Sequence, residues 1–491
     1  MVVVVNFDVV FLHPPVWVAR QRLSKLVNIL TGKKRFNKYP IMPMGVFSLA
    51  SCLDAEGFQT KIINLGLEHC LNPSFNLEEK VRSIKATVYA IDLQWSIHSS
   101  GAIEVANLCK RHHPDSLVVL GGFTATWFDQ EIIQNHTSVD VVVRGEAEES
   151  MTRLVKNYVS GEDFSNVEGI TYRQTSSLKR NPIGKPPSNL DRFDFIRPDL
   201  IDRWDQYLKV NAIGYNEQAP PTFWLPIARG CPYNCIHCGG SRESYYLATG
   251  RDKPILRSPG KIVGEIEKLV EKGVKAVNFS HDLQIDGKSY YSKLLREIRE
   301  RRLDISAYTE IFQLPSQDFI EEYAKTFTYP CVAISPESAS EEVRNFAGKL
   351  FSDAQLFKAL DVLERSEIDT LLYFCVGLPG ESHESFEVFK RLVRKILYNT
   401  KRVLVIPPFP YTIDPNCLMA IHPEKFDVKL IFKTFEDYKM MSKTSGSWEK
   451  SIGHETSKLS RRDIHKLTVR SNQHVTRIAR LRRKESDMKL L

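Results

Sequence analysis

The chain has 491 residues, 42% apolar and 26% charged, with 25 Gly and 25 Pro; this excludes collagen-like, fibrous and wholly disordered classes and suggests about three domains at roughly 150 residues each. No apolar run reaches the ~18 residues of a membrane span, and the short Val2–Val5 run lacks the flanks of a secretion signal, so the expected address is the cytoplasm. The formal net charge of +8 lies in residues 441–491, where thirteen Lys or Arg face five Asp or Glu, so the body is neutral and the tail basic.

In chain order, Val9–Leu12 reads as a short buried strand closed by His13-Pro14-Pro15, since proline ends a ladder. Thr60–Leu65, Thr87–Ile91, Leu117–Leu120 and Val139–Val143 follow, with room for helices such as Ala102–Arg111 between them. Alternating strands and helices predict a parallel, doubly wound, Rossmann-like sheet over 1–160, with ligands at the carboxyl ends of its strands. The loops to watch there are 13–15, 94–96, 121–124 and 144–146. Residues 161–222 hold a hairpin-like Gly169–Arg173 and many prolines and aspartates without helical period, and read as a linker.

A second alternating series spans 223–415. Its strands are the one before Cys231, then Ala276–Phe279, Ile305–Tyr308, Cys331–Ile334, Leu371–Val376 and Arg402–Ile406. Ile262, Ile266, Leu269 and Val270 form one helical stripe, and Ser352 with Gln355 is a capping box. About six βα units predict a partial (β/α)6 barrel rather than a full eight-unit one. Residues 416–491 form a helical extension, in which Ser460 and Asp463 cap a basic amphipathic helix with Ile464, Leu467, Val475, Ile478 and Leu481 roughly on one face.

Nine cysteines in so long a chain are too few for a disulfide framework, and reduced thiols are expected. Six are scattered, but Cys231, Cys235 and Cys238 fall in Arg229-Gly230-Cys231-Pro232-Tyr233-Asn234-Cys235-Ile236-His237-Cys238, where glycine and proline force a loop at a strand end. Three thiolates leave one iron of a cubane cluster without a protein ligand, open to substrate or cofactor. A zinc site would need a fourth donor, and His237 lies between two of the cysteines.

The C-x3-C-x2-C spacing resembles that of the radical S-adenosylmethionine (SAM) superfamily. The likeness extends over about 190 residues. Ser280-His281-Asp282 stands where that family often has Gly-Gly-Glu against the SAM amino group. Ser335-Pro336-Glu337-Ser338, followed by Gly348-Lys349, is similar to its strand-end Glu-Ser, and Val376–Glu381 to its fifth-strand glycine motif near adenine. The first domain looks like the cobalamin (B12)-binding domain that precedes many of these enzymes, through Pro43-Met44-Gly45, Gly121–Thr124 and Val143–Glu148. The Asp-x-His-x-x-Gly loop of B12 proteins is absent: His98 lies at the wrong spacing and His13 is followed by two prolines, and both read as structural.

The resemblance implies a 4Fe–4S cluster on Cys231, Cys235 and Cys238. It implies SAM near Ser280, Asp282, Glu337, Ser338 and Gly377, and cobalamin near Gln94, Ser96, Gly121, Gly122, Thr124, Gly145 and Glu146. The implied activity is C-methylation of an unactivated carbon by way of a 5′-deoxyadenosyl radical, on a small-molecule or lipid substrate, with a ferredoxin or flavodoxin as electron donor. No acid–base residue is assigned, and Tyr308 and Glu310 end a barrel strand that can face substrate. Non-methylating chemistry on the same cofactors, such as cyclisation, oxidation or carbon–carbon coupling, is the alternative. A non-catalytic corrinoid or cluster sensor is a second one. A methylthiotransferase would need a second cysteine cluster, and Cys52, Cys70 and Cys109 sit in helical, apolar surroundings. For the tail, packing on the barrel and contact with a membrane surface both stand, with nucleic acid third.

Overall fold

A computed structural model describes residues 6–16, 40–72, 74–175, 177–211, 219–444 and 448–488; the Val2–Val5 run lies outside them. The first sheet has seven strands: β1 (Asn6–His13), β2 (Thr60–Asn64), β3 (Lys85–Asp92), β4 (Leu117–Gly121), β5 (Val141–Val143), β6 (Ile170–Gln174) and β7 (Ser177–Arg180). Their order is β2-β1-β3-β4-β5-β6-β7; the first five are parallel and the last two antiparallel. The parallel strands read as unbroken apolar runs because both faces are covered. Val9, Phe11, Val88, Ala90, Val119 and Val141 face the helices Gly45–Ala55 and Glu148–Ser160. Val10, Leu12, Tyr89, Ile91, Val118 and Leu120 face Ser99–His112. The chain leaves β1 in both directions, so the β1/β3 boundary is a topological switch point, where open α/β sheets open a crevice.

Residues 161–222, read from sequence as a linker, contribute the hairpin β6–β7 to this sheet and the helix Trp204–Val210, and Ile201 bridges to Ile62. The second unit follows with β8 (Thr222–Leu225), then β9 (Ala228–Arg229), which pairs antiparallel with β10 (Ile255–Leu256). Then come β11 (Ala276–Phe279), β12 (Ser306–Ile311), β13 (Pro330–Glu337), β14 (Asp369–Val376) and β15 (Val403–Val405). Six parallel strands run β15-β14-β13-β12-β11-β8, and the two end strands do not pair. This is a partial (β/α)6 barrel. Beyond β15, β16 (Phe409–Pro410) continues along the end of β14. The outer helices include Pro259–Glu271, with Ile262, Ile266 and Leu269 buried, and Asp353–Arg365, whose Ser352–Gln355 capping box is complete.

The C-terminal extension straps both units. Its helix Phe435–Thr444 places Phe435, Tyr438 and Met441 in the core of the first domain, and the Phe435 ring lies 5.9 Å from that of Phe128. A small ribbon of β17 (Val428–Leu430) and β18 (His454–Thr456) leads to the helix Arg461–Met488. Ser460 and Asp463 cap that helix reciprocally, each backbone N–H bonded by the other's side chain at 3.2 Å. Ile464, Leu467, Val475 and Ile478 are buried against the barrel, while Leu481 is exposed. No helix among the described residues is long and apolar enough to cross a membrane.

Candidate functional site

At the carboxyl ends of the first sheet lies a cavity of about 190 Å³. Phe11 of β1, Ala90–Asp92 of β3, Val119–Gly121 of β4 and Val143 of β5 form its floor. Gln94, Gly122, Gly145 and Glu146 form its rim, and Arg229, Tyr245 and Thr249 of the barrel domain close its far side. Gly122 has φ +110°, and a Cβ there would stand 2.7 Å from the Gln94 backbone nitrogen, so only glycine lets these two strand-end loops touch. Gln94 then ties the loops together: its side-chain oxygen accepts from the Phe123 N–H at 3.2 Å and its carbonyl from Thr124 Oγ1 at 3.1 Å. Of the residues expected at the corrinoid, Gln94, Gly121, Gly122, Gly145 and Glu146 line the cavity. Ser96 and Thr124 do not: Ser96 opens the turn Ser96–His98, with its carbonyl bonded by Ser99, and Thr124 is buried by its bond to Gln94.

Two buried carboxylates, Glu146 and Glu148, join this domain to the barrel. Arg229 donates to Glu146 at 3.0 Å and to Glu148 at 3.0 Å, and Arg251 donates to Glu146 at 2.9 Å and to the Pro187 carbonyl at 2.7 Å. Ser48 adds a 2.6 Å bond to Glu148. Burial alone would raise the Glu148 carboxyl, but the Arg229 guanidinium holds it below the usual range. Arg229 ends β9 and stands two residues before Cys231, so the same guanidinium braces the base of the cysteine loop. Sequence reasoning missed this group, because its partners lie 81 to 83 residues away in the chain.

Cys231, Cys235 and Cys238 occupy the loop between β9 and the helix Arg242–Thr249. It is stitched on two sides. The Ile236 N–H donates to the Ala347 carbonyl at 3.3 Å; the Gly239 N–H donates to Asp414 at 3.2 Å, and its carbonyl accepts from Asn416 at 2.6 Å. Gly348, at φ +97°, lies where a Cβ would come within 2.9 Å of Cys235 Cα. The Gly240 N–H donates to Cys238 Sγ at 3.3 Å. Burial pushes the Cys231 thiol up to about 11 and raises those of Cys235 and Cys238. Among the described residues no three His, Cys, Asp or Glu side chains close on a single metal ion. Three sulfurs on one loop, with Cys235 buried, Cys231 and Cys238 half-buried and an amide aimed at one of them, fit a thiolate-held iron–sulfur cluster, which spaces its ligands more widely than one ion does.

Beside this loop, β13 ends in a register shift at Ile334/Glu337, and Glu337 adopts φ +66°, an uncommon conformation for a residue with a side chain. The turn brings its carboxylate to 3.4 Å from His237 Nε2, 3.8 Å from Lys349 Nζ and 3.3 Å from Cys375 Sγ. Burial would raise this carboxyl, but His237 and Lys349 hold it down. Lys349 is itself buried and donates to the Phe312 carbonyl at 3.1 Å. Ser338 and Gly377 meet through Glu381, which accepts from Ser338 Oγ at 2.7 Å and from the Gly377 N–H at 2.8 Å. On its other side Gly377 is roofed by the extension, since its carbonyl accepts from His454 Nε2 at 2.7 Å and a Cβ would lie 3.0 Å from Ile464. Ser280 Oγ accepts from the Ile227 N–H at 3.3 Å, and Asp282 accepts from the Gln284 and Phe312 N–H groups at 2.9 and 3.0 Å, so these two shape the neighbouring turns. Lys349, His237 and Glu381 join the site without having been assigned to it from sequence; the Gly348-Lys349 pair was the available signal for the first.

Residues 37–155 match the B12-binding domain family and residues 225–393 the radical SAM superfamily. The chain is a cobalamin-dependent radical SAM enzyme, and a 4Fe–4S cluster, SAM and cobalamin are its cofactors. It is 25% identical over 394 residues to an uncharacterized methyltransferase of Pyrococcus horikoshii, spanning 78% of this chain and 81% of that one. It is 26% identical over 380 residues to the anaerobic magnesium-protoporphyrin IX monomethyl ester cyclase of Rubrivivax gelatinosus, spanning 75% and 65%. In fold it is similar to the radical SAM methyltransferase TsrM of Kitasatospora setae, with a TM-score of 0.65 at 14% identity over 96% of this chain and 89% of that one.

Proposed function

We propose that the enzyme transfers a methyl group from SAM to an unactivated carbon of a small molecule in the cytoplasm, drawing electrons from a ferredoxin- or flavodoxin-like donor. One observation carries the reading: the cavity at the first sheet's carboxyl ends is closed by Arg229, Tyr245 and Thr249, residues that bracket the cysteine loop, so corrinoid and cluster would share one space. When bound, the cluster and SAM supply a carbon-centred radical and the corrinoid a methyl group.

The chain's own residues hold and shield. Cys231, Cys235 and Cys238 would ligate the cluster. Lys349 sets a positive charge against the thiolates of Cys235 and Cys238 and lowers the cost of keeping them ionised. Glu337, Ser338 and Gly377 line the SAM side of the loop, with Glu381 fixing the last two. Tyr411 covers the His237 carbonyl and Asn416 the Gly239 carbonyl, which keeps bulk water from the loop's far face. On the barrel strands the outward residues Val277, Phe279, Val332, Ile334, Leu372 and Phe374 are core. By alternation, Trp224, Tyr308, Glu310, Ser335 and Tyr373 face the interior, where Ser335 Oγ donates to Glu310 at 2.9 Å. This wall, aromatic with one carboxylate, is the substrate side of the proposal.

The cyclase relative supports a second reading, non-methylating chemistry on the same cofactors. Product analysis separates the two. Anaerobically reconstituted protein given SAM, a low-potential reductant and a cell metabolite extract is expected to release S-adenosylhomocysteine, the residue of methyl donation, together with 5′-deoxyadenosine. Deoxyadenosine alone supports the second reading, and absence of both products overturns the two together.

A further inference from the structure

One carboxylate on the inner wall of the barrel has no cation to meet it. None of the six barrel strands contains a Lys, Arg or His, and their acidic residues are Glu310, Glu337 and Asp369. Asp369, at the start of β14, lies 3.2 Å from Arg402, and Glu337 is met by His237 and Lys349. Glu310 makes no ion pair among the described residues. Lys349 stands near enough to feel its charge, but that ammonium is turned to Glu337 at 3.8 Å and to the Phe312 carbonyl at 3.1 Å. A carboxylate half-buried on an aromatic wall loses hydration and gains no counter-ion in exchange, so the wall is complete only when a cation arrives from outside.

The surroundings of Glu310 say what that cation is. β12 lies between β11 and β13, and its outer side, with Ala307 and Ile311, is core. Glu310 is only half-buried all the same, so the space it meets is the inside of the barrel. Leu404 opens on the same space: Val403 and Val405 on either side of it are core, while Leu404, on the inner face of β15, is 51% exposed. Inside, the Tyr308 and Tyr373 hydroxyls face each other and the Glu310 carboxylate, and the Trp224 ring stands edge-on to that of Tyr308 at 6.1 Å. Aromatic rings beside a carboxylate suit a cation, which their π faces attract as well. The open acceptor narrows the choice. Glu310 Oε1 already accepts from Ser335 Oγ at 2.9 Å, so a guanidinium does not find both oxygens free, whereas an ammonium needs only one. Ser335 stands two residues before Glu337 on β13, the strand whose end meets the cysteine loop through His237, so the open oxygen lies toward the barrel mouth.

We propose that Glu310, flanked by Tyr308, Tyr373 and Trp224, binds a protonated amine of the substrate, so that the enzyme acts on an amine-bearing molecule. The proposal rests on the radical SAM reading of the barrel and deepens it by naming the substrate's chemical class. An ammonium held there keeps the neighbouring carbons against the wall and oriented for attack at one position. Glu310 is a binding residue, and Ser335 positions it.

The test uses the full chain, reconstituted anaerobically with its cofactors and given SAM, a low-potential reductant and a cell metabolite extract divided at pH 7 on a sulfonate cation-exchange resin. The retained, cationic fraction is expected to raise 5′-deoxyadenosine release above the level without extract, and the flow-through is not. Release raised as much or more by the flow-through overturns the amine and leaves the enzymatic reading standing. A holoenzyme that neither fraction nor the whole extract stimulates overturns that reading and the amine with it. In Glu310→Gln, checked for folding by circular dichroism and by iron content, the amount of retained fraction giving half-maximal release is expected to rise about 30-fold, the effect of losing one partner of a buried charge pair, with a far smaller change for SAM and partial recovery in Glu310→Asp. No rise overturns Glu310 as the site. A rise for SAM alone puts the amine of SAM there instead and overturns the proposal too.

Discussion

His281 shows how one side chain couples burial to pH. It follows Ser280, whose hydroxyl lies 2.9 Å from its Nδ1, and its ring is 6.0 Å from Phe312. Burial pulls its pKa down to about 4 from the ordinary 6.5. A depressed folded-state value means that the unfolded chain takes up the proton first as pH falls, so the stability His281 contributes is complete above pH 6.5 and is lost toward pH 4. Buried carboxyls with raised values, Asp282 and Glu381 among them, act in the opposite sense over part of this range, so a comparison isolates the histidine. The urea midpoint of His281→Gln is expected to fall less steeply than that of the parent between pH 6.5 and 4, and parallel profiles would sink the assignment. The same scale separates what sequence can reveal from what it cannot. Cys231, Cys235 and Cys238 are legible because eight consecutive residues place them on one loop. The bonds of Ser338 and Gly377 to Glu381, and of Arg229 to Glu146 and Glu148, depend on strand ends that only the folded sheet brings together.

Among the elements, the parallel strands are the most legible, since Val139–Val143 and Leu117–Leu120 are apolar without interruption and can be satisfied only between two layers of helices. The hairpin β6–β7 is legible as a hairpin at Gly169–Arg173, but its membership of the first sheet is not. Arg173, Gln174 and most of Ser177–Arg180 are exposed, so an edge ribbon that pairs with β5 carries the polar composition of a connection. Its antiparallel pairing closes the sheet's open side beside the Glu146 loop, and the exposed charges of its outer strand discourage a further strand from adding. The tail helix Arg461–Met488 has its apolar face committed to the barrel, leaving Arg462, Lys466, Arg470, Arg477 and Arg480 outward as a basic stripe. Burial of Ile464 is complete where it roofs Gly377, so Ile464→Ala is expected to cost about 2–5 kcal/mol, seen as a lower urea midpoint at unchanged slope. A cost under about 0.5 kcal/mol, the level of an ordinary surface change, would show that the helix does not close the barrel.

For the whole molecule, the two α/β units act as one body because each is gripped twice, once by the buried cluster of Glu146, Glu148, Arg229 and Arg251 and once by the extension, which packs Phe435 on the first domain and Ile464 on the second. A buried ion pair is poor evidence of net stability, but removing one partner strands the other in a dry site at about 3–5 kcal/mol. Arg229→Met is therefore expected to lower stability by about that much and to split a single calorimetric transition into two, with Glu148→Gln in the same chain recovering part of the loss. One unsplit transition in the variant would mean that the strap alone makes the domains cooperative.

The roof over Gly377 also orders events in time. Its carbonyl is bound by a histidine 77 residues further along the chain, which leaves the ribosome only after all the barrel strands have emerged. During that interval the end of β14 stands open, so this face of the barrel takes its final form only after the last helix has been made and has docked.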